Sequence, residues 1–333
     1  MIVLGNREKI SAHDRQLVVA LGNFDGVHRG HQLLLQRMTT YAHNNSALSS
    51  VFLFHPHPQQ VLNPKGSPKL LLDTNTKIEL LKQQGAEVIF IVPFNLKYAS
   101  LAPEDFVEKI LVGELRVSGV FVGYDYRFGC GAQGTPELLK ELGEQKGFQV
   151  EVIPPVIYQG LPISSTLVRK ALLAGDILQA KDLLGYWPTL KGEIIAGDQR
   201  GRKLGFPTAN VKLPDDLLIP QNGVYAGEAL VEGERYLTVI NIGVHPTFGS
   251  SPLQLIEAHL LDFQGVVYHK NIEIKLIKKL REERKFQSSQ DLINQIRKDI
   301  ETAGKIYEDL GCKELYKASS GLNRKIYNED KLW

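Results

Sequence analysis

Two histidines in residues 22–31 (GNFDGVHRGH) are the side chains that most clearly indicate chemistry. His28 and His31 lie among three glycines, which permit tight turns and a close approach of a ligand to the backbone. An apolar run ends just before this stretch and a helical pattern begins within it, so both histidines lie at a helix start. Such a terminus favours a phosphate group. Two imidazoles there can donate hydrogen bonds to charge that develops on an α-phosphate during nucleotidyl transfer.

A second stretch, residues 201–210 (GRKLGFPTAN), combines glycines and cations with a threonine and an asparagine. Flexible glycines beside cations are typical of a diphosphate-binding nest. Mg²⁺ prefers oxygen ligands and keeps several waters, so the hydroxyl of Thr208 and the amide oxygen of Asn210 are sufficient protein ligands. We therefore predict a phosphate and Mg²⁺ site here.

A third candidate is Glu257 in residues 257–263 (EAHLLDF). On an extended strand Glu257 and His259 point to the same face. A carboxylate in this position can take the proton from a hydroxyl group that attacks a γ-phosphate. The residues alone leave open a solvent-facing carboxylate at Glu257, and we expect a structural role for His259.

The elements that must position the first site follow an α/β pattern. Strands alternating with helices are typical of βαβ units on a parallel sheet, where ligands bind beyond the carboxyl ends of the strands. The predicted strands are residues 16–21, 50–54, 88–92, 120–122 and 150–153, and the predicted helices are residues 31–43, 76–84, 103–112, 136–146 and 165–174.

The pattern changes after about residue 186. Apolar strands separated by Gly, Pro, Asn and Asp turns are predicted at residues 190–195, 224–231, 236–242, 255–261 and 272–277. A helix with a 3.6-residue period follows at 288–310 and stops at Gly311. This half is typical of an antiparallel barrel or sandwich with a covering C-terminal helix. We predict domains at residues 1–185 and 186–333.

Composition limits the class of protein. The chain has 333 residues, a net charge of +2, 43% hydrophobic and 23% charged residues, which indicates two globular domains rather than long disorder or a collagen-like repeat. Near-neutral charge argues against a general nucleic-acid coat. Two cysteines are too few for a disulfide framework and favour a reducing cytosol. With neither a signal-peptide pattern nor an apolar run of about 18 residues, we expect a cytoplasmic protein without membrane or nucleic-acid partners, and we leave self-association open.

The motifs of the first half together resemble the FMN adenylyltransferase module of prokaryotic bifunctional riboflavin kinase/FAD synthetases. Besides the HxGH signature, the resemblance includes residues 54–58 (FHPHP), 123–129 (GYDYRFG, with Tyr126 where Phe is usual) and 163–169 (ISSTLVR, with Val168 replacing Ile). It implies a Rossmann-like nucleotidyltransferase domain with His28 and His31 as catalytic residues. The implied ATP-binding residues are Gly22, Asn23, Phe24, His28, Gly30, His31, Asp125, Ser165, Thr166 and Arg169, and the implied flavin-binding residues are Phe54, Pro56, Tyr126 and Phe128. The role of Asp125, and any ligand contact of His55 or His57, stay open.

The second half resembles the riboflavin kinase module of the same family through residues 201–210, 222–226 (NGVYA), 241–248 (NIGVHPTF), 257–263 and 280–286 (LREERKF). The resemblance implies an antiparallel β-barrel with a C-terminal helix and Glu257 as the catalytic base. Thr208 and Asn210 fall on the family's Mg²⁺–ATP positions. The implied kinase ATP-binding residues are Gly201, Lys203, Gly205, Pro207, Thr208 and Asn210, and Arg281 and Phe286 would cover the flavin.

We therefore expect a bifunctional enzyme that phosphorylates riboflavin with ATP to give FMN and then transfers AMP from ATP to FMN to give FAD and pyrophosphate. One alternative is a different HxGH nucleotidyltransferase with an accessory β-domain. Another is a non-catalytic flavin- or nucleotide-binding regulator. In a third, only one module is active.

Overall fold

The computed structural model describes residues 2–4, 15–197, 201, 204–245, 253–265 and 267–310, with the backbone alone at 2–4, 244–245 and 253–254. The chain forms two compact units, residues 1–167 and 168–333. Because this division falls before the boundary predicted at 185/186, that boundary stays a prediction.

The first unit is built on a parallel sheet of six strands in the order β1-β4-β3-β2-β5-β6. All five residues of β2 are buried, as expected for a parallel sheet covered on both faces. The strand order reverses at β2, which has β3 on one side and β5 on the other, and this reversal opens a crevice at their carboxyl ends. The strands are β1 Ile2–Leu4, β2 Leu17–Leu21, β3 Leu48–His55, β4 Val88–Pro93, β5 Val117–Gly123 and β6 Gln149–Ile153.

Helices cover this sheet, and their first turns are closed by polar side chains. His28 caps α1, Asp73 caps α3 and Thr135 caps α6. The buried face of α1 consists of Leu34, Leu35, Met38 and Ala42, which follow helical spacing. The helices are α1 Arg29–Asn44, α2 Pro58–Leu62, α3 Thr74–Gln83, α4 Leu96–Ala99, α5 Pro103–Asp105 (which continues as a π-helix, Phe106–Glu114), α6 Pro136–Lys146 and α7 Ser165–Leu173, and a hairpin of β7 Ile157–Tyr158 and β8 Leu161–Pro162 precedes α7.

The second unit contains a closed antiparallel barrel in the order β10-β13-β12-β11-β14-β9. One face of the barrel wall packs on the last helix, α9, through Leu237, Val239, Ala303 and Tyr307. The elements are α8 Ile177–Leu184, β9 Thr189–Ile195, β10 Ala209–Lys212, β11 Gly223–Val231, β12 Glu234–His245, β13 Leu253–Leu260, β14 Asn271–Arg281 and α9 Ser289–Asp309.

The predicted fold class is confirmed in both halves: an α/β unit with a parallel sheet and a closed barrel with a C-terminal helix. The predicted strands and helices are present with shifted ends, and α6 spans the predicted residues. Seven elements were not predicted from the sequence, all of them short, so none displays a long hydrophobic pattern; they are β1, β7, β8, β10, α2, α4 and α8.

Candidate functional sites

Residues 22–31 form a strained turn between β2 and α1. Phe24 and Val27 have φ angles of 49° and 35°, a left-handed conformation that is uncommon for residues other than glycine, and both side chains are 1% exposed. A Cβ on Gly22 would lie 3.1 Å from the Phe24 ring, and one on Gly30 would lie 3.2 Å from the His28 ring. The two glycines therefore make room for these rings, and strain of this kind is concentrated at functional sites.

His28 and His31 stack at the start of α1, with ring centroids 3.7 Å apart and planes at 16°. The Nδ1 of His28 accepts a hydrogen bond from the backbone N–H of His31 (3.4 Å) and so caps the helix. Burial lowers the pKa of His31 well below 6.5, and the neighbouring His28 and Lys77 lower this pKa further. His31 Nδ1 is buried and makes no hydrogen bond to any described residue. His31 is thus a source of a neutral hydrogen-bond donor rather than of charge.

Asp25, to which we assigned no role from the sequence, holds this turn to two distant segments. Its carboxylate accepts hydrogen bonds from the N–H of Leu71, at 3.0 and 3.2 Å, and its side chain is almost completely buried. Its carbonyl oxygen accepts a hydrogen bond of 2.8 Å from the hydroxyl of Ser165, the first residue of α7. This hydrogen bond places Ser165, one of the residues predicted to bind ATP, beside the histidine turn.

The remaining residues of that set lie in the turn itself, in the loop after β5 and on α7. Asn23 is in the turn itself, and Asp125 is exposed in the loop that follows β5, so its role stays open. Thr166 and Arg169 lie three residues apart on α7, where side chains of this spacing share a face.

In the second unit, the chain turns tightly ahead of β10. The carbonyl of Gly201 accepts hydrogen bonds from the N–H groups of Leu204 and Phe206, at 3.1 and 2.8 Å, and Gly205 has a φ of 86°. A Cβ on Gly201 would collide with the Phe206 carbonyl and lie 3.3 Å from the Thr208 hydroxyl. The turn thus places the Thr208 hydroxyl beside the backbone of Gly201, which carries no side chain. Lys203 lies outside the described residues, and Pro207 is exposed.

Glu257 lies between two asparagines on three neighbouring strands. It pairs across the sheet with Asn210 of β10 and with Asn241 of β12, and the Nδ2 of Asn241 is 3.5 Å from its Oε2. Directly paired residues of antiparallel strands place their side chains on the same face. The carboxylate predicted as the base therefore lies beside one of the two residues predicted to hold Mg²⁺.

Both halves of the chain match known protein families. The FAD synthetase family matches residues 10–167, and the riboflavin kinase family matches residues 184–307. A bifunctional riboflavin kinase/FMN adenylyltransferase from Buchnera aphidicola is 38% identical over 91% of this chain and 96% of its own length, and one from Bacillus subtilis is 39% identical over 90% and 96%. The chain belongs to the bifunctional riboflavin kinase/FMN adenylyltransferase family.

A solved structure described as a macrolide-efflux protein from Streptococcus pneumoniae is similar to the whole chain. It has a TM-score of 0.83 and 29% sequence identity, and the match covers 91% of this chain and 98% of that one. Within the described residues of this family member, no helix is long and apolar enough to cross a membrane.

In the FAD synthetase region, an aromatic cluster lies at the carboxyl ends of β3 and β4. Phe54 contacts Phe94 and Tyr98 edge to face, with centroids 4.9 and 5.0 Å apart. Tyr126 belongs to the same group of rings: burial and the neighbouring Tyr98 raise the pKa of its phenol. Sequence reasoning found Phe54 and Tyr126 but missed the other two. Their signal was an F-x₃-Y spacing just after a strand, which is weak by itself.

Two predicted flavin residues of this region differ in their surroundings. Phe128 is 6% exposed and packs on Phe106, so the structure gives it a core role, while its flavin contact stays a prediction. Pro56 lies in the loop between β3 and α2. In the same loop, the Nδ1 of His57 accepts a hydrogen bond from Gln59 N (3.2 Å) and caps α2, and the Nδ1 of His55 is 3.3 Å from the Thr74 hydroxyl.

In the riboflavin kinase region, His259 holds the Gly/Pro turn in place. Its Nδ1 is 2.7 Å from the carbonyl oxygen of Pro207, and because a carbonyl only accepts, Nδ1 carries the proton. Burial lowers the pKa of this imidazole, which is therefore neutral at pH 7. The geometry agrees with the structural role expected for His259.

The guanidinium group of Arg281 donates hydrogen bonds to other residues of the protein. Its Nε and Nη2 donate to the carboxylate of Asp299 on α9, at 2.8 to 3.1 Å, and its Nη1 donates to the Glu282 carbonyl at 3.0 Å. Phe286 lies under two guanidinium groups, those of Arg281 at 5.7 Å and Arg284 at 4.8 Å. Arg281 thus fixes the covering segment to α9, and direct flavin contact by Arg281 or Phe286 stays a prediction.

Proposed function

We propose that this chain makes FAD in two ATP-dependent steps, with riboflavin phosphorylated in the riboflavin kinase region and FMN adenylylated in the FAD synthetase region. The observation that carries the first step is the row of Asn210, Glu257 and Asn241 on three neighbouring strands. Glu257 takes the proton from the 5′-hydroxyl of riboflavin, and the hydroxyl oxygen attacks the γ-phosphorus of ATP. The bond from that phosphorus to the β-phosphate oxygen breaks, and FMN and ADP are formed.

Mg²⁺ fits the oxygen donors of this region. Asn210 lies in β10 and Thr208 immediately precedes this strand, so the two oxygen donors are two residues apart along the chain. Among the described residues, no three His, Cys, Asp or Glu side chains form a group suited to a metal. Waters and phosphate oxygens would complete the coordination, which Mg²⁺ favours. When bound, Mg²⁺ offsets the charge of the ATP phosphates.

In the second step, an oxygen of the FMN phosphate attacks the α-phosphorus of another ATP, and the bond to pyrophosphate breaks. His28 and His31 donate hydrogen bonds to the α-phosphate oxygens, and the dipole of α1, which begins beside them, favours the same negative charge. Ser165 and Thr166 are proposed to bind phosphate at the start of α7. The partly exposed rings of Phe54, Phe94, Tyr98 and Tyr126 offer an apolar surface to the isoalloxazine.

The division between the two activities is proposed near residue 185. The FAD synthetase match ends at 167 and the riboflavin kinase match begins at 184, so residues 168–183, which include most of α7 and α8, belong to neither match. The low cysteine content supports our proposal of a cytoplasmic enzyme.

Two variants test this assignment after incubation with riboflavin, ATP and Mg²⁺ and chromatography of the flavins. Glu257→Gln keeps the shape of the side chain, and we expect FMN formation to fall by about 10²–10⁴ while FMN-to-FAD conversion is unchanged. Glu273→Gln, on strand β14 of the same barrel, is the matched control. His28→Asn keeps a capping side chain but loses the imidazole, and we expect the opposite pattern. If either variant loses both activities, two separate sites are refuted.

A further inference from the structure

Lys77 is the one lysine or arginine that is buried among the described residues, with 7% of its surface exposed. It lies in the first turns of α3, a helix that we did not connect with either site from the sequence. A lysine is almost never buried unless it is paired or has a function, because removing its charge from water is costly.

The start of α3 is tied to both loops of the proposed adenylyltransferase site. The N–H of Leu71, just ahead of the helix, donates to the Asp25 carboxylate of the histidine turn. The hydroxyl of Thr74 is 3.3 Å from Nδ1 of His55 in the loop after β3. Asp73 caps the helix through the N–H and the hydroxyl of Thr76. These bonds fix the start of α3 against the turn at Asp25 and the loop after β3.

The charge of Lys77 acts on one of those histidines. It contributes to lowering the pKa of His31, after burial and the neighbouring His28, which keeps that imidazole neutral. The attacking FMN phosphate and the triphosphate of ATP are both anionic. An ammonium close enough to His31 to lower its pKa is within range to donate hydrogen bonds to phosphates bound beside that imidazole, and donors held in fixed positions by the protein are effective at a phosphate that gains charge.

We propose that Lys77 is a phosphate-binding residue of the adenylyl-transfer step, with its ammonium donating to the phosphates of ATP beside His28 and His31. In the reaction, an FMN phosphate oxygen forms a bond to the α-phosphorus and the bond from that phosphorus to the β-phosphate oxygen breaks. Lys77 neutralises the charge that passes to the departing pyrophosphate and exchanges no proton. This inference rests on the function proposed for the FAD synthetase region.

The test compares Lys77→Met, Lys77→Arg and Lys82→Met in the full chain. Lys82 is exposed on the same helix and serves as the matched control. For Lys77→Met we expect kcat/KM for ATP in FMN-to-FAD conversion to fall at least 100-fold. Lys77→Arg should restore it to within tenfold of the unmodified protein. FMN formation from riboflavin should stay unchanged in all three, because it reports on the other region.

The outcomes separate the two proposals. If the unmodified protein forms no FAD, the function proposed for this region is wrong. If it forms FAD and Lys77→Met does so within threefold, the role of Lys77 is refuted. Binding of a non-hydrolysable α,β-methylene ATP and of FMN provides a further readout: selective loss of the ATP analogue in Lys77→Met supports the proposal, whereas equal loss of both ligands indicates a merely structural role and overturns it.

A measurement on the unmodified protein covers the case in which Lys77→Met does not fold. The nitrogen signal of the Lys77 ammonium is assigned by its absence in Lys77→Arg and followed by NMR as inorganic pyrophosphate is added. We expect it to shift in step with inhibition of FAD formation. An unchanged signal at inhibitory pyrophosphate overturns the proposal.

Discussion

The ion pair between Arg281 and Asp299 provides a test of how the riboflavin kinase region holds its covering segment. The family resemblance implies that Arg281 contacts the flavin, whereas in the structure its guanidinium pairs with the carboxylate of Asp299 on α9. Replacing each residue alone and then both, as Arg281→Met, Asp299→Leu and the double variant, separates these two roles.

The size of the effect follows from burial and geometry. Three N–H···O contacts of 3.0, 3.1 and 2.8 Å join the two side chains, which are 20% and 6% exposed, and Gln295 donates to the same carboxylate at 2.7 Å. Removing one member of a buried pair costs about 3–5 kcal/mol because it leaves a buried charge without its partner. Since Arg281 keeps some contact with water, we expect about 3 kcal/mol for Asp299→Leu. The double variant leaves no charge behind and should lose about 1 kcal/mol or less.

Stability is measured by urea unfolding followed through tryptophan fluorescence, which reports on the second unit because both tryptophans, Trp187 and Trp333, belong to it. The same variants are assayed for KM of riboflavin. If Arg281 acts by fixing its segment to α9, each single variant raises this KM by about tenfold, and the double variant raises it no further because all three changes break the same tie.

Two outcomes would refute this reasoning. An Asp299→Leu variant with unchanged KM, beside an Arg281→Met variant with raised KM, means that Arg281 touches the flavin itself. A coupling energy below about 0.5 kcal/mol means that the pair is no stronger than an exposed one. Glu301 and Lys305, which form an exposed pair on the same helix, give that baseline in a parallel cycle.

Two further predictions concern the barrel. Tyr307→Phe removes a buried hydroxyl that accepts a hydrogen bond from the N–H of Gly227 (2.9 Å) and donates one to the Gly227 carbonyl oxygen (2.6 Å). We expect the free energy of unfolding, measured with urea, to fall by about 2 kcal/mol. The control Tyr236→Phe should lose about zero, because the Tyr236 hydroxyl makes no hydrogen bond to a described residue. Burial lowers the pKa of His259 from 6.5, so below about pH 6.5 the unfolded chain binds a proton that the folded chain does not. The unfolding free energy should therefore fall as the pH drops from 6.5 towards the lowered pKa, by up to about 1.4 kcal/mol per pH unit, and His259→Gln should flatten this slope; an unaltered slope in that variant would contradict the assignment.

The sequence predicted those parts of the molecule that repeat a pattern over several residues. Buried runs such as β2 and the amphipathic α6 show full periods, and the motifs after β2 and before β10 combine several unusual residues in a short stretch. Asp25 shows no such pattern. Its partners lie 46 and 140 residues further along the chain, so its function depends on tertiary contacts that no local spacing reveals.

The same reason explains why Asn241 and Lys77 were missed. Asn241 was visible in its motif but gained a role only when the barrel register placed it opposite Glu257. Lys77 resembles any lysine near a helix start, and solvent-exposed lysines are far more common than buried ones. Its burial results from the packing of α3 against the sheet.

The proposed mechanism allows a chain with a net charge of only +2 to bind two anionic substrates. It requires a few hydrogen-bond donors and charges at each site, and these side chains are held in position by buried polar groups that need not contact a ligand. Asp25 holds the segment ahead of Lys77, His259 holds the turn that presents Thr208, and Asp299 holds Arg281. Because misplacement of a reacting group by about 1 Å can cost 10²-fold in rate, loss of such a group imitates loss of a catalytic residue. An activity measurement alone therefore cannot assign a catalytic role in this enzyme. A variant must also keep its stability and the activity of the other region.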